Sequence, residues 1–187
     1  MKSAIVASIT LLACFGFIEQ VKAANPQDVE LFQRSDSCPR CDLSGVDLSQ
    51  KDLSGVNLRD ANLKGANLTG ANLSNADLTG ADLQNTVMNN VNLSGASLTG
   101  ANLRSASLEN ADLSFAALMS ANLSAANLTG AKMFLTNFRG ANFRLTTLTN
   151  GVVSSDKPYG WSLQSESLKN CNEFTAEDAR GTTCSIE

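Results

Sequence analysis

From Leu43 to Leu148 an apolar residue returns at every fifth position, giving 22 repeats without one insertion. The column is nearly all leucine, with Met88, Met133, Phe138 and Phe143 as its variants. Two positions earlier the residue is usually Ala, as at Ala61, Ala66, Ala71, Ala76 and Ala81, and the residue between is mostly Asn or Asp. Gly or another small or polar residue usually closes each unit.

Neither regular element can use this period. On an α-helix five residues turn by about 500°, so successive leucines step about 140° around the axis and form no stripe. On an unbroken strand five is odd, and successive leucines would face opposite sides. The pattern predicts a short extended segment with Ala and Leu pointing inward and Asn or Asp outward, followed by a two-residue bend. Each unit is then one side of a polygon, hydrogen-bonded to the side one coil above, and only the two ends stay open. Periodicity alone leaves three sides and four sides open. Phe115 and Leu135 favour four, because both are apolar at a closing position and lie four repeats apart, so that they would stack.

The stretch Ala-Asn-Leu-Thr-Gly-Ala-Asn-Leu-Ser-Asn-Ala-Asp-Leu-Thr-Gly at residues 66–80 resembles the motif of the pentapeptide-repeat family, Ala-(Asp/Asn)-Leu-x-x. The likeness covers about 110 of the 187 residues. It implies an all-β fold, a right-handed quadrilateral β-helix of about 5.5 coils; at about 4.8 Å per coil the rod is roughly 26 Å long. Each buried leucine contributes on the order of 1.5–3 kcal/mol, which offsets the ordering of the backbone. Each coil touches only its neighbours, so both ends need caps.

Four segments follow. Residues 1–23 read as a signal peptide: Met1-Lys2, an apolar run from Ile5 to Ile18, and Val21-Lys22-Ala23 as the cleavage site. The apolar run is too short to span a bilayer, and the mature chain is expected to touch no membrane. Cys14 after Leu11-Leu12-Ala13 only loosely matches a lipoprotein box. Residues 24–40 are an N-terminal helical cap, with Asn25 as N-cap, Pro26 at the first helical position, Asp28 in the first turn and Val29, Leu31 and Phe32 as apolar contacts. Residues 41–150 are the solenoid. Residues 151–187 form a C-terminal cap carrying Trp161, Leu163, Leu168 and Phe174, with helical turns over Thr175–Gly181. With both ends capped, a monomer is expected.

Removal of Cys14 leaves Cys38, Cys41, Cys171 and Cys184, an even number in an exported chain, for which disulfides are the expectation. Three pairings are possible; Cys38 with Cys41 and Cys171 with Cys184, each clamping one cap, is favoured. A zinc site would need the two pairs together, whereas the rod separates them. Exported cyanobacterial and thylakoid-lumen members of the family look similar, with a short helical lead and Cys-x-x-Cys before the first repeat, so the periplasm or the thylakoid lumen is the expected compartment.

Histidine is absent and the net charge is only −4. The commonest general base and metal ligand is therefore missing, and no cofactor, metal or catalytic residue is assigned. Cys38-Pro39-Arg40-Cys41 also resembles the motif of thiol oxidoreductases, which makes a thiol-disulfide redox protein the first alternative function. A DNA-mimic topoisomerase inhibitor, the activity of the best-known family members, is the second. It needs a strongly acidic surface, but residues 41–150 carry eight acids and seven bases, and no nucleic-acid partner is expected. The leading expectation is a non-catalytic exported structural or interaction module with a protein partner.

Two exceptions to the pattern stand out. Lys51 fills an inward position in the first coil, and its ammonium is expected to escape through the open end towards Asp28 or Glu30. Phe115, Met119, Phe134, Leu135 and Leu145 are apolar at outward positions. They are a candidate interaction patch, which the C-terminal segment either covers or leaves exposed to a partner.

Overall fold

Every closing residue from Arg40 to Leu145 has a positive φ, between 51° at Leu135 and 73° at Gly140, and this turns the chain at each fifth residue. Nine of these corners are Gly, which adopts the left-handed region freely; the other thirteen are L-residues that do so at a cost. A computed structural model describes residues 24–35 and 37–154. The signal-peptide reading, the C-terminal helical turns, and the Cys171 and Cys184 pairing lie outside them.

Each side pairs in parallel with the side four repeats further on, from Ser37 with Asn57 to Asn127 with Thr147. Four repeats therefore complete one coil. Position by position, the N–H groups of one repeat, Asn62 to Ala66, are all accounted for. Leu63 donates to the carbonyl of Asp82 at 2.8 Å and Gly65 to that of Gln84 at 2.9 Å, both one coil above, and Asn62 donates downward to Cys41 at 2.8 Å. Ala66 closes the turn onto Leu63 at 2.9 Å. The fifth donor, Lys64 N–H, has no backbone partner, and the Oδ1 of Asn62 takes it at 3.2 Å.

This accounts for the Asn or Asp that most units carry. The pattern predicts only that this side chain faces outward; in the structure it curls back to satisfy the one donor that the ladder misses. Where Ser107 stands in that place, Asn89 from the coil below supplies the acceptor to Glu109 N–H at 3.2 Å.

Inside, the leucine column is buried except at Leu53 and Phe143, which are partly buried near the two ends. Thr86, Thr136 and Thr146 replace Ala, and each buried hydroxyl donates to a carbonyl at 2.7 Å, those of Leu83, Leu113 and Leu123 respectively. No hydroxyl of the three is left dry and unpaired, which would be costly.

The ladder starts one side earlier than residue 41. Ser37 pairs with Asn57, Cys38 N–H donates to the Asn57 carbonyl at 2.8 Å, and Arg40 already has a φ of 63°. Before it lies α1, Pro26–Arg34, with Asn25 as N-cap accepting from Gln27 N–H at 3.0 Å. Val29 and Phe32 pack against the core, but Leu31, expected to do the same, is exposed.

At the other end Gly151, with a φ of 80°, shifts the turn by one residue. The chain then runs back antiparallel, pairing Val153 with Thr147. Leu148 N–H donates to the Val152 carbonyl at 2.8 Å, where a further coil would otherwise have provided an acceptor.

Candidate interaction surfaces

Cys38 occupies the inward, leucine-like position of the side that starts the ladder, and Cys41 the alanine-like position of the next. Their Cα atoms are 5.5 Å apart and their sulfurs lie within bonding distance, the usual span for a disulfide. Relative exposures are 0% and 4%. The Cys38 Sγ lies 3.7 Å from the Asp28 carbonyl of α1. In a thiol oxidoreductase the first cysteine sits at an exposed helix N-terminus, which stabilises the thiolate. Here the residues after Cys41 enter the β ladder instead.

Lys51 does not behave as expected. It is exposed, while Asp28 accepts from Asp42 N–H at 2.8 Å and Glu30 pairs with Arg34. Its charge acts on Asp47 instead, as one of several small effects there.

The polar faces are built from columns in which each residue stacks on its counterpart one coil below. On one, the Asn62 amide donates to Asp42 Oδ1 at 2.8 Å and the Asn102 amide to Asp82 Oδ1 at 3.1 Å; Asn122 and Asn142 continue the column upward. On the next two faces Asn67 donates to Asp47 at 3.1 Å, and Asn72 to Asp52 at 2.9 Å. Asp42, Asp47, Asp52 and Asp82 thus each lie under an amide that donates to them, so their charge is not stacked into a phosphate-like row.

The carboxyls of Asp47, Asp52 and Asp77 sit below the ordinary value of 3.8. Asp47 and Asp52 are lowered chiefly by hydrogen bonds from Ser49 and Ser54. Burial pushes Asp77 up, but bonds from Thr79 and Arg59 together outweigh it. Arg59 reaches Asp77 at 3.2 Å.

The five apolar residues do not form one patch. Phe115 and Leu135 stack on one corner, continuing the column Gly55, Asn75 and Gly95, and are 58% and 42% exposed. Phe134 joins them, its ring edge-on to Phe115 with centroids 5.3 Å apart. Leu145 belongs to the corner diagonally opposite, above Ala125 and Ser105, and Met119 to the face beyond Phe115. Grouping by position along the chain hides this division; sorting the residues by their place within each set of four repeats reveals it.

With this geometry in view, the model of the family described as Pentapeptide repeats matches residues 40–75, 76–114, 96–134 and 111–150, together more than half of the chain. The chain belongs to the pentapeptide repeat family. Among solved structures it is similar to Rfr23, a pentapeptide repeat protein from the cyanobacterium Cyanothece 51142. The identity is 32%, over 62% of this chain and 92% of that one, with a TM-score of 0.60. A pentapeptide repeat protein from the Arabidopsis thaliana thylakoid lumen is 33% identical over 62% of this chain and 71% of its own, with a TM-score of 0.26. The fluoroquinolone resistance protein QnrB1 is 19% identical over 64% and 65%, with a TM-score of 0.36. None of the curated proteins matches the chain. The family's neighbours imply a right-handed β-helix, in keeping with the parallel four-repeat ladder of this pentapeptide repeat protein.

Proposed function

We propose that this protein is an exported, non-catalytic rod that acts as a structural or protein-interaction module, presenting its flat polar faces to a protein partner. One observation carries the reading: residues that could do chemistry are occupied in holding the ladder. Asn and Asp side chains cap the turn donors, the core threonines bind carbonyls, and Cys38 and Cys41 are buried together. In this reading the pair is a disulfide, α1 is the lower cap, the rod has about 5.5 coils, and the mature chain starts near Ala24 as a monomer in the periplasm or thylakoid lumen.

The buried cysteine pair speaks against the thiol-disulfide alternative, and the pairing of Asp42, Asp47, Asp52 and Asp82 with amide donors speaks against DNA mimicry. Crosslinking of the tagged full-length protein in cells, followed by purification from the envelope or lumen fraction, tests the proposal. A reproducible protein partner crosslinked through a polar face is expected. Purification of the protein from the cytosol with no cleavage before Ala24, or the absence of any crosslinked partner, overturns it.

A further inference from the structure

The corner formed by Phe115, Phe134 and Leu135 is built against local preference. Phe115 and Leu135 hold φ values of 61° and 51°, a region that bulky L-residues avoid and that Gly fills at nine other corners. Their side chains are exposed, so the core gains nothing from them. The surroundings are also unlike the rest of the rod. Lys132 lies on the side that leads into the corner and Arg139 on the side that leaves it; Asp112, in the column below Lys132, is the last acid before Asp156.

Residues 155–187 have the complementary chemistry. They carry six acids against three bases, and Trp161, Leu163, Leu168 and Phe174. They follow directly on the hairpin that ends at Ser154 beside Thr146, on the same terminal coil. At about 3.3 Å per residue the segment reaches any face of that coil, and covalent attachment keeps it at a high effective concentration. We propose that residues 155–187 fold back onto this corner, laying their apolar residues over Phe115, Phe134 and Leu135 and their acids beside Lys132 and Arg139. The polar faces are left free for the partner, and the inference stands whether or not that partner is found.

The chain's single tryptophan reports on it directly. Acrylamide quenching of Trp161 is measured in the full mature protein and in the double variant Phe115→Gly, Leu135→Gly. Glycine removes the apolar side chains while suiting the backbone, so the rod stays folded. Trp161 is expected to be shielded in the natural protein. Loss of two apolar contacts is expected to shift the docked-to-free ratio by about tenfold or more towards free, and added salt to shift it the same way. Equal quenching in both proteins overturns the proposal. So does shielding that appears only as protein concentration rises, which makes the occupant a second copy. So does an exposed Trp161 with binding of phosphatidylglycerol vesicles that the double variant abolishes, which makes the corner a membrane contact.

Discussion

The carboxylate of Asp28 accepts a hydrogen bond from the backbone N–H of Asp42 at 2.8 Å, taking the place of a coil that does not exist. One coil up, the equivalent donor, Asn62 N–H, finds the carbonyl of Cys41. Asn25 N–H completes the substitution by donating to the Asp42 carbonyl at 3.1 Å. Asp28 and Asn25 thus pair with two backbone groups of Asp42 that the adjacent coil pairs elsewhere in the ladder.

Asp28→Ala removes the carboxylate that accepts from Asp42 N–H and is expected to destabilise the protein by about 1 kcal/mol. Asp28→Asn, which keeps an acceptor oxygen, should lose less. Urea unfolding of both variants measures this, and hydrogen exchange at the Asp42 amide should quicken in Asp28→Ala.

The corners can be tested by a pair of alanines. A Cβ at Gly100, with a φ of 68°, meets nothing within 4 Å, so Gly100→Ala isolates the backbone term, about 1–2 kcal/mol. At Gly80, with a φ of 70°, the Cβ comes within 2.3 Å of Asp60 Oδ1. Gly80→Ala should therefore cost more, and the excess should vanish in an Asp60→Gly background. Thermal melts of the natural protein, the two alanine variants, Asp60→Gly and the Asp60→Gly, Gly80→Ala double variant decide it.

Asp47, Asp52 and Asp77 bind protons less readily folded than unfolded, since each sits below the ordinary 3.8. Their contribution to stability is complete above about that value and is lost as pH falls through their folded values. Stability measured by urea unfolding should be flat from pH 7 to 5 and fall below pH 4. Asn fills the same turn position at Asn67, so Asp47→Asn should keep the fold and flatten part of that fall.

The cysteine pair separates a clamp from a redox site. Alkylation of the native mature protein without reductant should leave Cys38 and Cys41 unmodified, and mild reductant should not reach them until urea unfolds the first coil. Rapid reduction of the native protein would restore the oxidoreductase reading.

The leucine column is legible in the sequence because burial imposes a strict spacing, and the corners because Gly recurs there. Other features are not, since they depend on which residues the fold stacks. The turn-capping role of Asn62 needs the knowledge that Lys64 N–H has no backbone acceptor. Cys38 reads as part of a cap because Ser37-Cys38-Pro39-Arg40 lacks the motif, yet its ladder bonds place it in the solenoid. For Lys51 the sequence suggests a path through the open end, but Asp28 is already committed to Asp42.

Since each coil takes four repeats, the repeat number sets more than length. Inserting one whole coil would lengthen the rod by about 4.8 Å and keep its terminal hairpin above the same face. Inserting a single repeat would rotate that hairpin by a quarter turn relative to α1. The bearing between the two ends is therefore written in the repeat number modulo four, and a partner that grips both ends would tolerate duplications only in steps of a whole coil.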